Sequence, residues 1–392
     1  MRDKEAESPP QKDASRGGLS PDAEERALAE EIALQKDIAQ SKPPKRLKAS
    51  RVILPVIIGL GVVGYMFYRD FDPEVFDNIH FTWATVFWIV MAFVFMFGRD
   101  IGYMIRIRVL SHRRLNWRQA FRVIMLWEAT SAVTPAALGG TSVAILFVYK
   151  EGIDLGRSSA IVMLTSFFDE LYFTIVFPIV MFGVGVDRLF DISLSSGALT
   201  TGLMAFALIG YFIKLAWTVM MGYGLFVNPK GIKWLIEKIF TLPFLRRWHE
   251  GAHRTGVELV EAATDIRGSG WRFWLGATGA TFLSWSSRFL VANALIIAFF
   301  SVSDNLLLFA RQLIMWTMML VVPTPGGSGF AEVIFSTYCR DLITVPLYLQ
   351  LSAATLIAFF WRGVTYYPYI LAGIIVFPNW IRRSFGRSSK KS

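Results

Sequence analysis

Five stretches of this chain, roughly 52–68, 81–104, 158–184, 198–226 and 271–300, are apolar over lengths that match a bilayer. A helix rises 1.5 Å per residue, so about 20 mainly apolar residues cross the hydrocarbon core. A sixth stretch, about 347–377, is longer still but carries Arg362 and Pro368. Apolar residues make up 54% of the 392, concentrated in these runs. That concentration argues for a membrane and against a large soluble core. The net charge of +10 does not point to nucleic acid, because the basic residues lie between the apolar runs. The single cysteine, Cys339, excludes an intramolecular disulfide and a cysteine-built metal site.

Two further apolar stretches are interrupted. Residues 121–149 are broken by TPAALGG at 134–140, and residues 306–339 by PTPGGSG at 323–329. Proline removes a backbone donor and glycine costs backbone entropy, so together they end a helix. If both broken segments turn back, the chain crosses six times and every strongly basic stretch lies on one side. Those stretches are the N-terminal tail, the loop with Arg106, Arg108, Arg113, Arg114 and Arg118, the 228–267 loop and the C-terminal RRSFGRSSKK. If both cross, the 228–267 loop, with seven Lys and Arg, falls on the other side. The positive-inside bias favours the re-entrant arrangement, with both termini cytoplasmic. Residues 1–50 read as a cytoplasmic tail, disordered over 1–21 with a short charged helix at 22–40. Residues 51–378 are the membrane domain, and 379–392 are a basic cytoplasmic tail. Residues 228–267 read as an interfacial amphipathic segment anchored by Trp234 and Trp248.

The two halves of the membrane domain, about 81–184 and 271–377, share a pattern. Arg99, Arg122 and Trp127 match Arg288, Arg311 and Trp316 at an offset of 189 residues. Thr134-Pro135 matches Thr324-Pro325 at 190, and Phe167-Phe168 matches Phe359-Phe360 at 192. Each half reads as span, re-entrant hairpin, span, and the first spans run in opposite directions. The expected fold is therefore an all-α polytopic membrane protein of about six spans and two re-entrant broken helical hairpins, arranged as an inverted repeat.

Irregular backbone at membrane depth is tolerated only inside protein or along a water-filled cavity. The two breaks are expected to face each other near the midplane, each followed by a half-helix whose free N–H groups suit an anion. Gly139, Gly140 and Thr141 serve one break; Gly326, Gly327 and Ser328 serve the other. Glu332, in the first turn of the second half-helix, either caps that helix, neutralises an arginine or binds an amine. Asp169 and Glu170 lie about 18 Å, and Arg362 about 22 Å, from the nearer helix ends used here. An ionisable group at that depth costs about 2.5–3.5 kcal/mol or more. Arg362 is expected to pair with Glu170 or Asp169, either lining the path of a polar headgroup or fastening two helices. Arg122 and Arg311 stand at the hairpin entrances, where Arg311 is the candidate collector of an anionic headgroup. Arg99, Arg288 and Glu128 are further candidates.

At PTPGGSGFAE, at the TPAALGG break and at the FFDE and FFWR pair, the chain resembles a flippase-like integral membrane family. That family is typified by the N-terminal transmembrane region of bacterial lysylphosphatidylglycerol synthase, the multiple-peptide-resistance factor. The likeness covers about residues 50–378. It implies a bacterial inner-membrane protein that moves lipid between leaflets. It does not imply lysine transfer to lipid, since no segment here forms a soluble aminoacyl-transferring domain.

The expected function is thus a flippase-like transporter of a lipid or lipid-linked amphiphile, not an enzyme, needing no cofactor and no metal. Membrane lipids are the expected partners, and a second copy of the chain, as a homodimer, is a further candidate. The alternatives are a membrane-embedded enzyme using Asp169 and Glu170 on a lipid-linked substrate, or an envelope assembly protein. No metal cluster, nucleophile–base pair or nucleotide motif supports the enzyme.

Overall fold

A computed structural model describes residues 72–79, 81–134, 140–190, 197–228, 266–319 and 326–385, with residue 324 and scattered positions between 57 and 69 and between 230 and 264. The membrane unit runs from Leu47 to Ser384. The tail expected at 1–50, most of the expected span at 52–68, most of the 228–267 segment and the last seven residues lie outside the described residues.

The chain is all-α and polytopic. Five helical segments among the described residues are long and apolar enough to cross a membrane: Trp83–Leu110, Leu155–Val184, Thr201–Val227, Trp271–Phe299 and Leu347–Arg382. They coincide with five of the six stretches expected from hydropathy. The helices are α1 (Trp83–Leu110), α2 (Trp117–Val133), α3 (Gly140–Lys150), α4 (Leu155–Val184), α5 (Val186–Phe190), α6 (Gly197–Gly222) and α7 (Trp271–Phe299). A short strand, β1 (Ser301–Val302), precedes α8 (Asn305–Met318) and α9 (Phe330–Cys339). Strand β2 (Ile343–Thr344), α10 (Gln350–Thr365) and α11 (Tyr367–Phe385) follow.

Helices α1 and α7 pack against each other along their length and run antiparallel. Phe81 meets Phe299 at one end, and Gly276 lies against Val109 at the other. Lipid tails are as apolar as leucine, so helices in a bilayer associate by close packing of small residues. Gly98 and Gly102 of α1 provide this, facing Ser287, and Ala280 and Ser284, of α7. A Cβ on Gly102 would stand 2.7 Å from the Ala280 carbonyl oxygen. The Ser284 hydroxyl donates to the Arg99 carbonyl at 2.9 Å.

Both interrupted segments double back. The α2 N-terminus is capped by Asn116, whose side chain accepts from Gln119 N while Gln119 accepts from Asn116 N. Gln119 then donates to the Glu151 carbonyl at 3.1 Å, and Arg122 grips the Glu151 carboxylate at 2.9 and 2.6 Å. The start of α2 therefore lies beside the end of α3. The second hairpin is closed the same way. Asp304 caps α8 through the N–H groups of Leu306 and Leu307, and β1 pairs antiparallel with β2. Arg311 donates to Asp341 at 2.6 Å and to the Tyr338 carbonyl at 2.9 Å. Arg122 with Glu151 and Arg311 with Asp341 are thus two clamps at corresponding places, 189 and 190 residues apart.

The last long apolar stretch is not one continuous helix. It breaks at Tyr366, between α10 and α11. Pro368 explains the break, because it lacks the N–H that would continue the ladder, and its fixed φ suits the first turn of a new helix.

The tight α1–α7 seam makes Gly102→Val costly. Overpacking against the Ala280 backbone is expected to lower stability by about 1–3 kcal/mol. Gly183→Ala, where a Cβ meets nothing within 4 Å, is expected to be neutral or to gain up to about 1 kcal/mol. Melting of the two variants in detergent, followed by intrinsic fluorescence, checks the contrast; equal melting points would contradict this packing.

Candidate functional site

Tyr366 joins the C-terminal end of α2 to the second break. Its hydroxyl donates to the Ala132 carbonyl at 2.9 Å, near the end of α2, and receives the Ser328 hydroxyl at 3.1 Å from the second break. Gly326 sits so close that a Cβ there would lie 2.5 Å from the Tyr366 ring and 2.9 Å from the Ala132 carbonyl oxygen. Its φ of +57°, with +67° at Gly327 and +85° at Gly329, is the left-handed conformation glycine adopts without steric cost.

Arg362, late in α10, closes this crossing. Its Nε stands 2.9 Å from Glu332, and its NH groups donate to the carbonyls of Gly326 and Gly327 at 3.3 and 3.1 Å. Glu332 also accepts from Gly329 N at 2.8 Å, so it is both the cap of α9 and the counter-charge of Arg362. With Glu332 1% exposed, that helix terminus is already filled by the protein's own carboxylate. What the second break offers inward is carbonyl oxygen, which arginine has taken. On the other side, Gly140 and Thr141 open α3, with their side chains outside the described residues, as is Gly139 altogether.

The expected pairing of Arg362 with Glu170 or Asp169 is corrected. Asp169 receives two donations from Arg106, at 2.6 and 3.1 Å, and one from the Trp285 indole at 2.6 Å. Arg106 also donates to Thr281. Glu170 is bound by Lys214 of α6 at 2.7 Å. The two acids are adjacent in sequence and so point to different sides of α4, each to its own cation. Glu170 and Lys214 line a cavity of about 500 Å³ with Ile213, Ala216, Trp217 and Met220. Arg311 likewise is no headgroup collector in this structure. It is 1% exposed and committed to Asp341 and to the carbonyls of Tyr338 and Arg188.

A second polar cluster lies along α1 and α7. Arg99 holds Asp100 at 2.8 Å and Glu128 at 2.5 Å, with the rings of Tyr103 and Tyr369 4.6 and 4.9 Å from its guanidinium. Tyr369 donates to both Asp100 oxygens, at 2.7 and 2.9 Å. Tyr103 also lies beneath Arg106, 4.7 Å away, linking this cluster to Asp169. Trp285 carries the chain on to Arg288, whose guanidinium is 5.7 Å from that ring and 4.1 Å from Trp316. Charged groups are thus strung through the middle of the protein, each cushioned by an aromatic ring.

Sequence reasoning missed Lys214 and Arg106 as partners. Lys214 was visible as the lone charge inside an apolar run, about 18 Å from that run's nearer end at 1.5 Å per residue. Arg106 was read as a loop base because hydropathy ends the span near 104, whereas α1 continues to Leu110.

The fold and site define a polytopic membrane protein with a charged, aromatic-lined interior and two helical hairpins. Residues 52–373 match the family described as the lysylphosphatidylglycerol synthase TM region, and the chain belongs to that family. It is also similar to a UPF0104 membrane protein of Archaeoglobus fulgidus, with 23% identity over 298 residues, covering 73% of this chain and 84% of that one. No solved structure matches it.

The Glu332–Arg362 pair yields a direct test. Glu332→Ala removes a cap and strands a buried guanidinium, and is expected to cost about 3–5 kcal/mol. The double change Glu332→Leu with Arg362→Met is expected to recover most of that loss, because no charge is left unpaired. Melting temperatures in detergent decide; a single variant as stable as the wild type would show that the pair carries no stability.

Proposed function

We propose that this protein is a flippase-like transporter that moves a lipid or lipid-linked amphiphile between the two leaflets. The observation that carries this reading is the train of buried charges through the helices, beside the point where Tyr366 joins the end of α2 to the second break. A soluble-style core has no use for such charges, and a purely structural bundle would replace them with apolar residues at little or no loss. A polar headgroup crossing the hydrocarbon region needs polar groups along its way.

In this reading the halves 81–184 and 271–377 are an inverted repeat. The antiparallel α1–α7 pair, the two hairpin clamps and the recurring Arg99 and Arg288 support it, since repeats of opposite orientation underlie many alternating-access transporters. The distribution of Lys and Arg supports six crossings with both termini cytoplasmic, in the inner membrane of the cell. Membrane lipids are the partners, the protein acts without cofactor or chemical change to its substrate, and a homodimer is compatible with it.

Two measurements test this. A unique cysteine at the C-terminus (Ser392→Cys in a Cys339→Ser chain) is expected to resist an impermeant thiol reagent in intact spheroplasts and to react after lysis. Liposomes holding the full chain and headgroup-labelled lipids are expected to expose inner-leaflet label to an impermeant quencher, with the lipid chemically unchanged on chromatography. Exposure no faster than in empty liposomes sinks the transport reading, and a modified lipid would replace it with an enzyme.

A further inference from the structure

Arg288 stands 17 residues into the 29-residue α7, about 25 Å from its start and about 17 Å from its end at 1.5 Å per residue. No interface is within reach. Its counterpart Arg99 is saturated by two carboxylates. Arg288 has none: among the described residues it has no ion-pair or hydrogen-bond partner, and its Nε is buried without an acceptor. The other cations deep in the described spans are all satisfied: Arg106 by Asp169, Lys214 by Glu170, Arg362 by Glu332.

The direction of Arg288 matters as much. Its helical neighbours at one turn, Ser284, Trp285, Val291 and Ala292, are all buried, whereas the lipid-facing stripe of α7 runs through Leu275 and Leu283. Arg288 itself is partly buried, on the side of α7 turned away from that stripe. Trp316 covers one face of the guanidinium at 4.1 Å, and Trp285 is held nearby by its bond to Asp169. The charged and phenolic groups that act on it are Arg99, Tyr103, Glu128 and Tyr369; Asp100 and Glu128 are both in the grip of Arg99. A guanidinium carries five N–H donors in a planar fork that matches the oxygens of a phosphate, and buried donors of this kind require acceptors.

We propose that Arg288, with Trp316 as its wall, is the mid-membrane anchor for the phosphate oxyanion of a lipid headgroup. This rests on the reading of the protein as a lipid transporter and names what that transporter grips. The N-terminus of α9 is closed to the anion by Glu332, whereas Arg288 offers charge and donors that no group among the described residues takes up.

Full-length protein in an uncharged, phosphate-free detergent is incubated with dioleoyl phosphatidic acid or with dioleoylglycerol, which differ by the phosphate alone. Retained lipid is measured by native mass spectrometry. Wild type is expected to retain phosphatidic acid and not dioleoylglycerol. In Arg288→Gln the apparent affinity falls by about tenfold or more, the effect of losing one charge-assisted contact. Arg288→Lys keeps the charge without the fork and is expected to fall in between. Equal retention of the two lipids overturns the proposal. So does wild-type affinity in Arg288→Gln, or in Arg288→Lys if the glutamine variant does not fold. Full displacement by millimolar inorganic phosphate would assign the site to a free anion and overturns the lipid source. Failure here leaves the liposome result standing, whereas Arg288-dependent binding by a protein that moves no lipid would sink the transport reading alone.

Discussion

Inside a bilayer no water is at hand to solvate a charge, and each polar group must be answered by the protein itself. This chain places Arg99, Asp169, Glu170, Lys214 and Arg288 well inside its helices, and buries Arg106, Glu332 and Arg362 near helix ends, so its fold is largely the set of answers. Arg106 and Trp285 converge on Asp169 and thereby fix α1, α4 and α7 against one another. Glu332 folds back on its own helix terminus and meets Arg362, which fixes α9 to α10. Rings of Tyr103, Tyr366, Tyr369 and Trp316 fill the gaps beside the guanidinium groups, adding cation–π attraction where desolvation is most costly.

Where these answers lie was partly legible in the sequence. Hydropathy located the spans, because length and apolar content alone decide whether a helix can cross. Both interrupted segments were expected to turn back, and each doubles on itself, closed by the clamps at Glu151 and Asp341. Arg122 and Arg311, matched in the sequence, each hold an acid at the end of a hairpin. What the matching could not say is which acid each arginine meets.

Partner choice depends on how each helix is rotated about its axis, and a nearly uniform apolar helix carries little signal for that. Successive residues point about 100° apart, so Asp169 and Glu170 face different neighbours, and the repeat could not tell which. Glu332 shows the same gap. Its position in the first turn of α9 allowed a cap, a counter-charge or an amine site, and it is in fact the first two at once.

The distribution of these bonds across the molecule has a mechanical meaning. Among the described residues, the buried ion pairs join groups within 81–184 or within 271–377, or join Glu170 to Lys214 on the connecting helix. Contacts that cross from one half to the other are of another kind: Ser284 to the Arg99 carbonyl, Trp285 to Asp169, Tyr366 to the Ala132 carbonyl, Tyr369 to Asp100. These have neutral donors, and Arg106 to the Thr281 hydroxyl adds one charged donor on a neutral acceptor. Parting two buried opposite charges costs several kcal/mol, whereas a neutral hydrogen bond is worth about 1 kcal/mol and one to a charged group about 1.5–3 kcal/mol. A displacement of one half against the other would therefore have to break these hydrogen bonds and the close α1–α7 packing, but it would part none of these buried ion pairs.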